Sequence, residues 1–269
     1  MNGALLAKSG WGKSWMTQAL LERNIPEYEA TVVMDMKDEY RGLVKAGLLV
    51  HLIVGPHEAQ WSVEQWREFL RQNPRVVLAK LDTMNLDTWL EVCNRVAGAV
   101  RTLQRSQFVC IEEAHFVAPQ VGAIPPEIEH LATTGRGEGT STVVVSQRPA
   151  KVDETVLAQC MFRLIGGFES DRDLTKVEGF TEYPVDLHNP QAGEVSHVPD
   201  ELQPDDSGEG GLAPALRKFE DDQGRTIGSE WVYSDDSGTR KRIDSRYRQM
   251  DSTHHGQDGK DVLLPDMDE

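Results

Sequence analysis

The run Ser9-Gly10-Trp11-Gly12-Lys13-Ser14-Trp15 contains the residue types that hold a multiply charged anion. Such an anion needs converging backbone N–H groups, a helix N-terminus behind them and a cation that can reach the outer charges. Gly10 and Gly12 permit close backbone approach, Lys13 supplies the charge for β- and γ-phosphates, and Ser14 offers a hydroxyl to Mg²⁺. The run fits the pattern G-x-x-x-x-G-K-[ST] except at its first position, where Ala7 replaces glycine. Alanine is tolerated there if its φ is negative. The expected ligand is ATP with Mg²⁺, bound by Ser9 through Trp15.

A second pair of chemistry-bearing residues lies far downstream. FVCIEEAH (108–115) is an apolar run ending in Glu112 and Glu113. Glu112 suits a hold on Mg²⁺ through water, and Glu113 suits a base that orients a water toward a γ-phosphate. An exposed acidic strand end is the simpler reading, and the phosphate-loop pattern upstream makes it the weaker one. TTGRGEGTS (133–141) places Arg136 on a glycine-rich turn. It is either a solvated loop arginine or a finger for a neighbouring subunit's nucleotide, and the sequence leaves both open.

These residues need elements to position them. Short Val-, Ile- and Leu-rich runs occur at 3–7, 31–36, 48–54, 75–81, 107–113, 141–147 and 161–167. Runs of this length between turn residues predict strands buried on both faces. Helical periodicity fills 14–23, 62–72, 86–104, 125–134, 153–159 and 170–178. Strand–helix alternation of this kind predicts an α/β fold with a mostly parallel sheet between helices.

The charge is unevenly spread over the 269 residues. Residues 1–183 carry a net charge of −5 and residues 184–269 carry −11, giving −16 for the chain. That balance argues against a protein that coats nucleic acid non-specifically, because phosphate neutralisation needs clustered Lys and Arg. The expected organisation is a catalytic domain over 1–183 and an acidic, largely flexible extension over 184–269. Within the extension, EWVYSDDSGTRKRID (230–244) reads as a β-hairpin around Asp236-Ser237-Gly238, while PDDSGEGG (204–211) and HHGQDGKD (254–261) read as linkers. His254 and His255 read as a surface pair without metal. Cys93, Cys110 and Cys160 lack metal spacing and fit buried thiols of a reduced compartment. No apolar run is long enough to span a membrane and no signal-peptide layout is visible, so a cytoplasmic or virion-associated protein is expected.

Taken together, AKSGWGKS (7–14), MDMKDEYRGL (34–43), CIEEAH (110–115), GRGEG (135–139), SQRP (146–149) and VLAQCMFRLIGG (156–167) resemble the HerA–FtsK superfamily of P-loop ATPases, the HerA-like branch most closely. The resemblance covers roughly residues 1–180. Asp38 stands where that family usually has glycine, and Trp11 where a smaller residue is commoner. The absence of barrel, membrane and winged-helix additions resembles the compact genome-packaging ATPases of tailless, membrane-containing viruses. The resemblance implies the RecA-like (ASCE) P-loop NTPase fold and a ring, hexameric in such proteins, with ATP between neighbours and double-stranded DNA through the centre. It also implies a capsid or membrane protein as partner. Gln147 would sense the γ-phosphate, and Arg136 would serve the neighbour's site. Arg101, Arg105, Arg240, Lys241 and Arg242 are candidates for contact with the cargo. The same fold in VirB4-type proteins implies protein transport or conjugation as an alternative, and a low-turnover assembly component is a third.

Overall fold

The apolar runs form strands because β-branched and aliphatic side chains pack well on both faces of a pleated sheet, and the periodic stretches between them bury one stripe each. The computed structural model describes residues 1–204 and 212–256. Its elements run β1 (Gly3–Leu6), α1 (Lys13–Asn24), β2 (Ala30–Asp35), α2 (Arg41–Lys45), β3 (Val50–Val54), α3 (Val63–Gln72), β4 (Arg75–Lys80), α4 (Leu86–Arg101) and β5 (Gln107–Ile111). They continue with α5 (Ala114–Val117), α6 (Pro126–Thr133), β6 (Thr140–Ser146), α7 (Glu154–Ala158), β7 (Phe162–Ile165) and α8 (Asp171–Glu178). After these come β8 (Glu194–Val195), β9 (Ala213–Pro214), β10 (Lys218–Glu220), β11 (Thr226–Asp235) and β12 (Arg240–Asp244).

The main sheet has the order β10-β11-β7-β1-β6-β5-β2-β4-β3, with β12 also paired to β11. From β7 to β3 every pairing is parallel, as the alternation predicts. Two features of that order matter for function. β1 lies between β7 and β6, and β6 separates β1 from β5. Parallel strands bring their C-terminal ends to one edge, so the loop after β1, the end of β6 and the end of β5 stand side by side.

Each face of the sheet carries its own apolar cluster. One includes Val32, Met34, Trp66, Trp89, Val96 and Leu131 under α3, α4 and α6. The other includes Leu5, Trp11, Leu21, Tyr40 and Val145. α3 starts at a reciprocal cap in which the Ser62 hydroxyl accepts from Gln65 N and the Gln65 side chain accepts from Ser62 N. β3 departs from the fully buried expectation, because it is the sheet's edge and leaves Val50 and Ile53 exposed. Cys93, Cys110 and Cys160 are buried thiols.

The extension after residue 183 differs most from expectation. Its described part belongs to the fold: β11 pairs antiparallel with β7, and Val232 faces Ile165 in that register. Leu187, Leu202, Leu216 and Trp231 are buried in the second cluster beside Leu5 and Trp11. Each such side chain contributes roughly 1.5–3 kcal/mol when fully removed from water. Leu187 and Leu202 stand singly among polar residues, and the runs at 212–216 and 231–233 are short, so the acidic stretches around them dominate any windowed reading of hydropathy. The hairpin expected over 230–244 is β11 and β12, closed by a turn in which the Asp235 carboxylate accepts from Ser237 N and Thr239 N. Most of PDDSGEGG and the end of HHGQDGKD lie outside the described residues.

Candidate functional site

The loop after β1 has the geometry that its glycines make available. Gly10 (φ 74°) and Gly12 (φ 79°) are left-handed, and Gly12 begins α1, with its carbonyl accepting from Met16 N. A side chain is strained in that region, which explains glycine at both positions. Ala7 is not among the residues with positive φ, so alanine serves at the turn out of β1 without strain. Lys8 N donates to the Gly167 carbonyl at 2.9 Å, tying the loop to the end of β7.

Trp11 is the loop's anchor. Its indole is buried, donates Nε1–H to the Glu230 carbonyl at 3.0 Å, and lies flat against Gly166 and Gly167. A Cβ on Gly167 would stand 2.5 Å from the ring, and one on Gly166 would be closer still. The expectation placed Trp11 among the nucleotide-binding residues. The structure turns its side chain into the core. β11 adds two further ties: Thr226 Oγ1 donates to the Gly10 carbonyl at 3.1 Å and Ser229 Oγ to the Trp11 carbonyl at 2.7 Å.

Glu112 and Glu113 follow β5 and are both buried. Burial raises the Glu112 pKa to about 8; Lys13 pulls it down, while Glu113, Glu39 and Asp35 push it up. The loop lysine follows β1 and this carboxylate follows β5, with only β6 between the two strands. Glu112 Oε2 has no hydrogen-bond partner among the described residues. A buried carboxylate oxygen without a partner and a hydroxyl at the start of α1 are oxygen donors of the kind that a hard, water-bearing cation such as Mg²⁺ accepts. The residues present therefore fit the ion.

Glu113 adopts the left-handed conformation (φ 49°) as α5 begins. Non-glycine residues held there cost of order 1–3 kcal/mol and concentrate at functional sites. Its carboxylate is ion-paired with Lys37 and lies 3.2 Å from His115 Nδ1. His115 Nδ1 also lies 3.2 Å from Ser146 Oγ at the end of β6.

Lys37 was not singled out from the sequence as a site residue. It sits in the turn after β2, which Asp35 organises by accepting from the backbone N–H groups of Lys37, Glu39 and Tyr40. Burial raises the Asp35 pKa to about 7 against those bonds. Asp38 is left-handed (φ 59°), which accounts for the glycine usual at this position in the family it resembles. Asp-x-Lys at the end of a buried strand was the signal available.

Gln147 is half-buried and follows Ser146 at the end of β6, where Ser146 pairs with Leu6 of β1 and its carbonyl accepts from Ala7 N. That puts it between loop and carboxylates in strand order. Arg136 precedes β6, so it lies at the opposite, N-terminal ends of the strands, where its guanidinium contacts Met161 Sδ. The fold therefore keeps it away from its own chain's loop. The cargo candidates also separate. Arg101 bridges Glu127 and Glu138, Arg240 contacts Glu201, and Arg242 is buried against Glu230. Arg105 instead lines a 390 Å³ cleft with Arg67 and Arg71. Lys241 is exposed.

A pocket of about 610 Å³ opens over the loop. Ser9, Gly10, Gly12, Lys13, Ser14 and Trp15 form one side, with Lys37 and Glu39 at the end. The facing side comes from the C-terminal segment, including Ile227, Arg246, Arg248 and His254. His254 is no surface histidine: Nε2 lies 3.3 Å from Ser14 Oγ and Nδ1 lies 2.9 Å from Gln18 Oε1. His255 Nε2 lies 3.4 Å from Lys45 Nζ.

The chain matches no model of a protein family and no curated protein. Among solved structures it is similar to the genome packaging NTPase B204 from Sulfolobus turreted icosahedral virus 2 in complex with AMPPCP, at 10% identity and a TM-score of 0.56, over 89% of this chain and 95% of that one. It is also similar to VirB4 of Thermoanaerobacter pseudethanolicus, at 12% identity and a TM-score of 0.55, over 90% and 88%. Both alignments extend past residue 183, in keeping with the C-terminal strands being part of the fold. Among the described residues no helix is long and apolar enough to cross a membrane. The chain has the P-loop NTPase fold shared by the packaging NTPase B204 and VirB4.

Proposed function

We propose that this chain is an Mg²⁺-dependent ATPase that moves double-stranded DNA, working as a ring of identical subunits of the genome-packaging type. The observation that carries the reading is the convergence at one sheet edge of Lys13 with Glu112 and Glu113 across the end of β6. Backbone N–H groups of residues 9–14 cradle the phosphates, and Lys13 neutralises the β- and γ-phosphate oxygens. Ser14 and Glu112 hold Mg²⁺, which when bound neutralises charge on the phosphate oxygens. Glu113 takes a proton from the attacking water as the new P–O bond forms and the β–γ bridging bond breaks, leaving ADP and phosphate. Lys37 holds the Glu113 carboxylate in place. Gln147 senses the γ-phosphate, and Arg136, remote from its own loop, serves a neighbouring subunit's site.

The resemblance to compact packaging ATPases and the fold shared with B204 support DNA as cargo. The net charge of −16 and the fold shared with VirB4 are what favour a protein cargo instead. A component that only locks on ATP has no use for a buried base at the position of Glu113. ATP turnover measured across a salt series, with and without double-stranded DNA and beside Lys13→Ala, separates these. Turnover raised by DNA and absent in the variant supports the DNA motor. Turnover indifferent to DNA, with the variant silent, keeps the ATPase and removes DNA as its cargo.

A further inference from the structure

The phosphate-holding residues account for only part of the pocket. Beyond Ser14 it continues past Trp15 along the C-terminal segment, and an adjoining hollow of about 630 Å³ shares Trp15, Thr226, Arg248 and His254 with it. Ile227 is 56% exposed on this wall, an apolar side chain facing open space. Trp15, half-buried, presents an aromatic side chain to the same space. Apolar and aromatic faces with a few polar groups are what a flat heterocycle requires, and an inorganic phosphate chain has no use for them.

This wall is built. Thr226 and Ser229 are bonded to the loop's own carbonyls, so β11 and the loop hold a set distance. Residues 251–254 are strapped along one face of α1 through three side chains spaced four residues apart. The Glu22 carboxylate accepts from Asp251 N and Ser252 N, Gln18 Nε2 donates to Ser252 Oγ and the Thr253 carbonyl, and Ser14 meets His254. Gly42 has no room for a Cβ because the Thr253 carbonyl lies against it. Arg246 is committed to Asp244 and stacks on Phe219, its guanidinium carbon 3.3 Å from the ring centroid. Arg248, exposed at the meeting of the two hollows, is the guanidinium placed to face a sugar or base.

We infer that the base and ribose of the bound nucleotide are received in cis by the C-terminal segment, between Trp15 on one side and Ile227 and Arg248 on the other. The inference rests on the proposed nucleotide site and adds to it the part that distinguishes a nucleoside triphosphate from inorganic polyphosphate. The segment at the end of the chain is thus a substrate-recognition element.

The test compares ATP with inorganic tripolyphosphate by titration calorimetry at fixed Mg²⁺, using the full chain, Ile227→Asp and Arg248→Ala. Both side chains are exposed, and unchanged melting of the unliganded variants establishes that they fold. The expected result is tighter binding of ATP than of tripolyphosphate by the unmodified chain. Each variant should lose about tenfold in ATP affinity, equivalent to about 1.4 kcal/mol, while tripolyphosphate binding stays constant. ATP affinity unchanged in both variants, with Lys13→Ala abolishing binding, would overturn this inference and leave the nucleotide site standing. Binding of neither ligand by the unmodified chain would overturn both.

Discussion

Lys37, in the turn after β2, is ion-paired with Glu113, which follows the adjacent strand β5 and is fully buried. A buried carboxylate stripped of its lysine partner loses both charge compensation and a fixed direction. Lys37→Met should therefore lower ATP turnover by about 10–100-fold, within the range that misplacing a general base produces. Glu113→Gln should lower it by about 10²–10⁴-fold. In both variants the ATP Kd, measured separately, should stay within about threefold of the original, because the phosphate cradle is untouched. A parallel loss of binding in Lys37→Met would show that this lysine touches the phosphates instead.

Gly167→Ala tests the Trp11 anchor. The new methyl would meet the indole at 2.5 Å, so the ring or the end of β7 must shift. Overpacking of this kind costs typically about 1–3 kcal/mol, and here the displaced residue belongs to the phosphate loop. Chemical denaturation should show that loss, and ATP binding should weaken with it. Full stability together with full binding would mean the loop is held by β11 alone.

Part of this site was legible in the sequence and part was not. Gly10, Gly12, Lys13, Ser14, Glu112 and Glu113 are adjacent to strand ends in the primary structure, so type and spacing located them. The α/β alternation was legible for the same reason, since each parallel strand is a continuous apolar run. Trp11 and Lys37 were ambiguous because their roles depend on partners that spacing does not reveal: Gly166, Gly167 and Glu230 for one, Glu113 for the other. The C-terminal wall was hidden. Thr226 and Gly10 are joined across 216 residues, and β11 enters the sheet antiparallel at its far side, where local patterning carries no information about the partner. A domain boundary after residue 183 implies that deletion beyond it leaves ATP binding intact. With Trp231 and Val232 in the core, such a deletion should instead yield an insoluble chain.

His188 gives stability an acid limb. Its imidazole is buried, Nδ1 lies 2.8 Å from the Gly166 carbonyl and Nε2 lies 3.0 Å from the Tyr183 hydroxyl. Burial lowers its pKa to about 4; the bond to Gly166 opposes this and Arg242 adds to it. Between that value and the ordinary pKa near 6.5 the unfolded chain binds a proton that the folded chain refuses. Stability from this group is therefore full above about pH 6.5 and declines as pH falls toward 4, by up to about 3 kcal/mol. Urea melts of the protein and of His188→Gln at pH 7.5, 6 and 5 should show the smaller pH dependence in the variant. Equal slopes would assign the acid limb to other groups.

The cleft of Arg67, Arg71 and Arg105 lies at the N-terminal ends of β4 and β5, on the pole opposite the phosphate loop. If DNA is the cargo, the triple alanine variant should bind a double-stranded oligonucleotide more weakly. Its log Kd should also depend less steeply on log salt, by about one unit of slope for each phosphate that the arginines no longer neutralise. Fluorescence anisotropy at several salt concentrations reads both quantities. An unaltered slope would take this cleft out of the DNA path.

The strap along α1 has a consequence for how the molecule is made. Ser14 and His254 meet across 240 residues, and Glu22 meets Asp251 across 229. Contacts of such separation form late, because a long stretch of chain must be closed before they reward the entropy of ordering it. On a ribosome the phosphate loop emerges 240 residues before the histidine that meets it, and β11 and the strap can close over it only after that stretch has followed. A nascent chain is thus without a finished nucleotide pocket until the strap has emerged.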